Sequence, residues 1–326
     1  MDKTVLEQVV LEEFDYSFDR LIVVDGITRS GKFWLTNMLM YFQNLEYAHH
    51  FRIMDLFIYM NKTSKLSDNA AVSLLQHEAR MHMWEVALGR NINMRQLDSS
   101  CVCKGPKADI YKKRISKECG QNISIEDVFK GDNYFVFVGH DWLTNSSLCF
   151  KAYPKIKIIR MERNPIDLVY AWYKKGLGKE ENHDCRLKNK SGPRPWFTYD
   201  WQVEFSRLCE IDKIIHSIYS LDLLTKRSLE SLEPDLKSKI FFTSYELVAI
   251  EAKKEASKLC QFLNTRQMDD IEEFYSQDYF KTRDRGAILG SRKGKLELIK
   301  SLASDKALSL LLKLDQDYKN TGLDLS

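Results

Sequence analysis

An α/β fold is predicted for this chain, with three layers and a mostly parallel central sheet of about five strands flanked by helices. Three observations predict it. Short runs dense in β-branched and aromatic residues recur along the chain, and segments of helical periodicity separate them. The first such run, Leu21-Ile22-Val23-Val24, feeds directly into a glycine-punctuated turn, Gly26-Ile27-Thr28-Arg29-Ser30-Gly31-Lys32. Alternation of strand and helix buries a parallel sheet on both faces, so ligands bind beyond the carboxyl ends of the strands. The 326 residues, 44% of them apolar, suffice for one such core, and we read 1–326 as a single domain with a polar insertion or lid around 174–195.

Taken in order, Met1 to Phe14 carries Val5, Leu6, Val9 and Val10 at helical spacing and is expected to dock on the core. After the strand at Leu21, four further runs read as buried strands: Ser99 to Cys103, Tyr134 to Val138, Lys155 to Met161 and Lys239 to Thr243. Cys101 and Cys103 then share one strand face, as core residues. Lys174 to Pro195 is polar and longer than most ordered connections, which suggests a lid. Leu296 to Tyr318 returns to helical periodicity.

Composition narrows the partners. A net charge of +3, from 49 basic and 46 acidic residues, does not argue for nucleic acid or a membrane surface. Neither a membrane-spanning apolar run nor a signal-peptide pattern is present, and the seven cysteines show no CxxC pair or disulfide framework. A reducing cytoplasm is therefore expected. His77-Glu78 and His82 miss the metalloprotease spacing by one residue, and adjacent His49 and His50 point in different directions. No metal site is expected, although His49 or His50 could face a substrate.

Two segments carry the chemistry. A buried strand opening through glycines into a helix leaves backbone N–H groups and a positive helix end for an anion, so Gly26 to Trp34 reads as a phosphate site. Gly26-x-x-x-x-Gly31-Lys32 satisfies most of the Walker A pattern, but Phe33 stands where a Ser or Thr hydroxyl would hold magnesium. The second segment is Arg163-Asn164-Pro165-Ile166-Asp167, again a strand running into a helix, with Asn164 as N-cap and Pro165 at the first helical position. Its Arg163, at the strand tip, suits a second phosphate.

Thr28 to Leu35 resembles the 5′-phosphosulfate loop of the sulfotransferases, and Arg163-Asn164-Pro165-x-Asp167 resembles that family's 3′-phosphate motif. Three shorter segments follow in the family's order: Tyr134 to His140, whose end is similar to the strand bearing the catalytic histidine; Tyr245-Glu246; and Ser291-Arg292-Lys293-Gly294, similar to a late phosphate loop. The resemblance implies a P-loop-type fold and transfer of a sulfuryl group from 3′-phosphoadenosine 5′-phosphosulfate (PAPS) to a hydroxyl or amine of a small-molecule or carbohydrate acceptor, with no metal required. It implies Arg29 and His140 as catalytic residues. It also implies a donor site formed by Thr28, Arg29, Ser30, Gly31, Lys32, Phe33, Trp34, Arg163, Tyr245, Arg292, Lys293 and Gly294. A cation at Arg29 would stabilise charge growing on the leaving phosphate, and a histidine can take the acceptor's proton near neutral pH.

The chain departs from the family pattern at four places. Lys32 and Phe33 replace two threonines, Ala171 replaces a serine eight residues after Arg163, Val138 replaces a lysine two residues before His140, and Gly294 lacks the Gly-x-Trp that usually follows. Two other readings therefore stand beside transfer of sulfate: a P-loop nucleotide or small-molecule kinase, and a non-catalytic nucleotide-binding relative.

Overall fold

The first buried run forms strand β1 (Leu21–Asp25), and its apolar side chains serve two cores. Leu21 and Val23 pack into one hydrophobic cluster and Ile22 and Val24 into another, because successive side chains of a strand leave opposite faces. The third strand repeats the division, with Phe135 and Phe137 on one side and Val136 and Val138 on the other. Each fully buried aliphatic side chain of this kind stabilises the fold by roughly 1.5–3 kcal/mol.

The computed structural model of the protein describes residues 20–98, 101–116, 133–179, 186–189, 192–276 and 284–325. After β1 come helix α1 (Lys32–Leu39), strand β2 (His49–His50) and helices α2 (Arg52–Lys62), α3 (Asp68–Ala87) and α4 (Ala108–Ile115). Strand β3 (Phe135–Val138), α5 (Ser146–Ala152), β4 (Lys157–Glu162) and α6 (Pro165–Lys174) follow. A pair of short strands, β5 (Arg186–Asn189) and β6 (Gly192–Pro195), precedes α7 (Gln202–Phe205), α8 (Glu210–Glu230) and α9 (Pro234–Ser238). Strand β7 (Ile240–Ser244) then leads to α10 (Tyr245–Ile250), α11 (Ala252–Leu263), α12 (Ile271–Tyr275), α13 (Arg285–Leu302) and α14 (Asp305–Asn320).

The central sheet has five strands in the order β2-β3-β1-β4-β7, each pair parallel, and helices cover both faces. This is the expected architecture. Its consequence for function is adjacency: β1 lies between β3 and β4, so the turn after β1, His140 after β3 and Arg163 after β4 emerge side by side. The three strand tips are stitched by Asp25, which is fully buried. It accepts hydrogen bonds from the Trp142 amide at 2.9 Å, the Leu143 amide at 3.2 Å and Arg160 Nη1 at 2.9 Å. Removing one partner of a buried ion pair strands the other, at a cost of about 3–5 kcal/mol. Asp25→Ala is accordingly expected to lower the unfolding free energy by about that amount in urea titration; a loss below about 0.5 kcal/mol would contradict this account of the pair.

Two expectations need correction, the strand at Ser99 to Cys103 and the loop at Ser291 to Gly294. Ser99 to Cys103 contributes no strand within the described residues. Cys101 and Cys103 are joined by a disulfide, and Val102–Lys104 is a single turn of 3₁₀ helix. The Cα atoms of the pair are 5.5 Å apart, shorter than the roughly 6.8 Å of two extended residues, so the bridge and a strand exclude each other here. The place in the sheet is taken by β2, too short to stand out in sequence. Cys149, Cys209 and Cys260 are free thiols.

The segment expected as a lid is partly regular. Lys174 closes α6, and β5 and β6 pair antiparallel with Asn189 opposite Gly192. The helical run from Leu296 to Tyr318 is two helices, because Ala303 is extended and Ser304 caps α14 by accepting the Ala307 amide. The late phosphate loop at Ser291 to Gly294 is no loop, since all four residues lie inside α13. Met1 to Phe14 lies outside the described residues. No helix among those described is long and apolar enough to cross a membrane.

Candidate active site

Two glycines let the turn after β1 pass close over the end of β4 and the start of α10. Gly26 has φ +153°, and a Cβ there would stand 2.4 Å from the Met161 carbonyl oxygen; Gly31 has φ +105°, and a Cβ there would stand 2.8 Å from Tyr245 Cδ2. Larger residues would be both strained and blocked. The turn is held by a Ser30 amide to Ile27 carbonyl bond of 3.0 Å, by Trp172 Nε1 donating to the Thr28 carbonyl at 2.7 Å, and by Arg163 Nη1 donating to the Arg29 carbonyl at 2.9 Å. Arg29 itself stands exposed at the tip with φ +72°.

Helix α1 begins at Lys32 without a side-chain cap, and the buried Ser30 hydroxyl has no hydrogen-bond partner among the described residues. Uncapped first-turn amides, an orphaned hydroxyl and an exposed arginine are the donor set that a phosphate group satisfies. The residues present fit the 5′ end of a PAPS-like donor.

Lys32 differs from its expected role. Its ammonium is buried beneath the turn and donates to the Gly26 and Ile27 carbonyls, the latter at 3.1 Å, rather than reaching outward. Burial pulls its pKa down to about 8, opposed by Asp141 and Asp25 nearby. It braces the turn from below. Phe33 is exposed with its ring edge-on to His50, and Trp34 packs against Tyr245 and Phe274.

At the second site Asn164 caps α6 by accepting the Ile166 amide at 3.0 Å, with Pro165 next in line, as the sequence predicts. The Arg163 guanidinium lies 4.4 Å from the centre of the Tyr245 ring. Both border a cavity of about 220 Å³ shared with Ser291 and Lys295 of α13. Arg292 does not face it. Its guanidinium is buried among Asp167 at 3.0 Å, Asp324 at 3.0 Å and Glu246 at 3.3 Å, so the acids that neutralise it also turn it inward. Lys293 is exposed and Gly294 sits in open space. Of the late motif, the flanking Ser291 and Lys295 reach the cavity that Arg163 borders.

His140 follows β3 and is gripped by a residue that sequence reasoning missed. Asp55 of α2 accepts the His140 amide on Oδ1 at 3.0 Å and faces His140 Nδ1 with Oδ2 at 3.1 Å. The same Oδ2 lies 3.0 Å from His50 Nε2, and Trp142 Nε1 donates to Oδ1 at 2.6 Å. Burial alone would raise the Asp55 carboxyl, but the bonds from both histidines hold it well below the usual carboxylate range. Burial drives His140 down to about 4, with the Lys32 ammonium adding to the effect and Asp55 opposing it. His140 is thus neutral near pH 7, its Nδ1–H on Asp55 and its Nε2 left as a base.

Nothing in sequence links Asp55 to a histidine 85 positions away. His50 was half visible: on β2 it turns to Asp55 and His140, whereas His49 turns the other way and stacks on Phe51 with ring centres 5.5 Å apart. The donor atoms of His50, Asp55 and His140 lie within 4.8 Å of one another, the one set among the described residues spaced to hold a metal ion.

A cavity of about 330 Å³ joins the two halves. Thr28 of the glycine turn and His50, Asp55, His140 and Asp141 all line it. Asp141 is buried, its Oδ1 has no hydrogen-bond partner among the described residues, and burial together with Asp25 pushes its pKa up to about 7. An anion held at the turn and a hydroxyl held near His140 would therefore meet in one space, the arrangement that group transfer requires.

A family model described as a sulfotransferase domain matches residues 19–287. No curated protein matches the chain by sequence. Among solved structures the chain is similar to the sulfotransferase domain from the curacin biosynthetic pathway, at 14% identity over 92% of this chain and 97% of that one with a TM-score of 0.47. It is also similar to the sulfotransferase domain from the Synechococcus PCC 7002 olefin synthase, at 13% identity over 98% of this chain and 100% of that one with a TM-score of 0.45. A sulfotransferase from Mycobacterium tuberculosis shares 10% identity over 86% of this chain and 77% of its own, with a TM-score of 0.39.

Proposed function

We propose, because the chain belongs to the sulfotransferase domain family, that it transfers a sulfuryl group from PAPS to a hydroxyl or amine of a small acceptor. One juxtaposition carries the reading: the turn bearing Arg29 and the Asp55-held His140 border a single cavity through Thr28 and His140. When bound, PAPS supplies an activated sulfuryl group on a phosphate leaving group.

The chain's own residues divide the remaining work. Arg29, the Ser30 hydroxyl and the uncapped amides of α1 bind the 5′ oxygens, and Arg29 neutralises charge that grows there during transfer. Arg163, braced on Tyr245 and on the Arg29 carbonyl, binds the second anionic group, with Ser291 and Lys295 close by. Trp34 offers a ring for the base to stack on. His140 Nε2 accepts the acceptor's proton, and Asp55 holds the tautomer and stabilises the imidazolium that forms.

Titration calorimetry with 3′-phosphoadenosine 5′-phosphate in chelator, and with ATP both in chelator and with added magnesium, tests the donor. The bisphosphate is expected to bind at least about tenfold more tightly, since two separated anion sites reward two phosphates. Tight, magnesium-dependent binding of ATP with no response to the bisphosphate would replace this reading by a kinase. Bisphosphate binding without turnover on any acceptor would favour a non-catalytic relative.

A further inference from the structure

The cavity that joins the turn to His140 is chemically two-sided. Most of its polar groups are gathered around His140: Asp55 bonds both imidazoles, whose ring centres are 4.5 Å apart, and Asp141 is the next residue in the chain, while Thr28 of the turn and Arg52 of α2 add two polar side chains to the rim. Much of the remaining wall is hydrocarbon, from Leu56, Tyr59, Trp172, Trp196, Phe197 and Leu221. Two of those walls have polar atoms already committed to the protein. The Tyr59 hydroxyl donates to the His140 carbonyl at 2.7 Å, and Trp172 Nε1 donates to the Thr28 carbonyl at 2.7 Å. Tyr59 also stacks on Trp196, with ring centres 4.4 Å apart and planes 13° apart, which fixes the aromatic wall in place.

Resting on the sulfotransferase reading above, we propose that the acceptor is a compact hydrophobic alcohol, one hydroxyl on a hydrocarbon body, and not a carbohydrate. The hydroxyl sits at the histidine end, and the body lies against Tyr59, Trp196 and Phe197. A sugar held in this space would turn several of its ring hydroxyls to the Leu56, Tyr59, Trp196, Phe197 and Leu221 wall, which has no free polar group for them, and each unpaired hydroxyl costs about tenfold or more in affinity. A hydrocarbon body loses no hydrogen bonds there and gains by leaving water. At about 330 Å³ the cavity is at the small end of ordinary ligand sites, so one or two rings, or the equivalent chain, fill it. In the transfer, the acceptor oxygen forms the new O–S bond while the S–O bond to the phosphate breaks. The bonding pair leaves with the phosphate oxygen, and the hydroxyl proton passes to His140 Nε2.

The test compares 2-naphthol with glucose and N-acetylglucosamine, by sulfate transfer from PAPS and by calorimetry on protein loaded with 3′-phosphoadenosine 5′-phosphate. Naphthol is expected to be turned over with kcat/KM at least about 100-fold above either sugar. Leu56→Asn and Phe197→Asp are expected to raise the KM for naphthol about tenfold or more while leaving bisphosphate affinity unchanged. Leu56, only partly buried, serves as the milder variant if Phe197→Asp fails to fold by circular dichroism. Sugar turnover equal to that of naphthol, or naphthol binding indifferent to both changes, would overturn the inference. Naphthol binding that responds to both variants in a protein with no bisphosphate affinity would support this occupant and overturn the sulfotransferase reading alone.

Discussion

His140→Ala is expected to lower kcat about 100- to 10,000-fold with little change in donor affinity, the usual worth of a positioned general base. Asp55→Asn should approach the same loss while His140 is still present. The carboxylate faces one histidine Nδ1 and the other's Nε2 through a single oxygen. An amide there can accept from one ring but presents N–H to its surroundings with the other end, so the tautomer with a free Nε2 is no longer enforced. The pH profile gives a separate reading of the same group. His140 is lowered from its ordinary 6.5 to about 4, first by burial, so the base form persists as pH falls and is lost only on protonation near that value. Rate as kcat/KM is therefore expected to stay level from pH 8 down to about 5 and to decline below it. A decline centred at 6.5 would mean that the ring is solvated in the working enzyme. Asp55→Asn removes the charge that opposes the lowering, which would move the decline to still lower pH. Near-normal turnover in His140→Ala would transfer the role to another group lining the cavity, His50 or Asp141.

Arg29→Ala should cost about 100- to 1,000-fold in kcat, the range for loss of one preorganised donor aimed at developing charge. Arg163→Ala should instead act chiefly on donor binding, raising its KM about tenfold or more while kcat falls less. The two are not independent. Arg163 holds the Arg29 carbonyl at 2.9 Å, so its loss also loosens the turn at a residue with φ +72°. A modest fall in kcat for Arg163→Ala is consistent with that bond. Small and equal effects from both substitutions would contradict the division of roles, as would a kcat for Arg29→Ala within about threefold of the parent.

The frame of the site was legible because it follows from local chemistry. A buried strand, two glycines whose positive φ and close neighbours leave no room for a side chain, and a helix start capped by Asn164 with Pro165 behind it are each specified within a few residues. The alternation that assigns Leu21 and Val23 to one core and Ile22 and Val24 to the other is equally local. Strand β2 escaped notice because two residues carry no period, and the bond between Cys101 and Cys103 was hidden because it closes over one residue.

The direction in which a charged side chain points was not legible. Lys32 reads as a phosphate ligand in sequence, yet it turns under the loop toward Gly26 and Ile27, beside Asp25 and Asp141. Arg292 reads as a ligand too, yet it is taken by Asp167, Glu246 and Asp324, which arrive from three distant parts of the chain. Asp55 and Tyr59 meet His140 only because α2 packs beside the end of β3, and Trp196 joins them by stacking on Tyr59 from far along the chain.

By itself, then, the sequence determined the alternating sheet, the two strand-to-helix turns and the place of His140 at the end of a strand, since dihedral preference, hydrophobic period and capping act over one turn or strand. Tertiary structure decided which way Lys32 and Arg292 turn, which carboxylate holds His140 and how apolar the wall of the neighbouring cavity is. Those depend on desolvation and on partners far along the chain, and both exist only once the elements have packed.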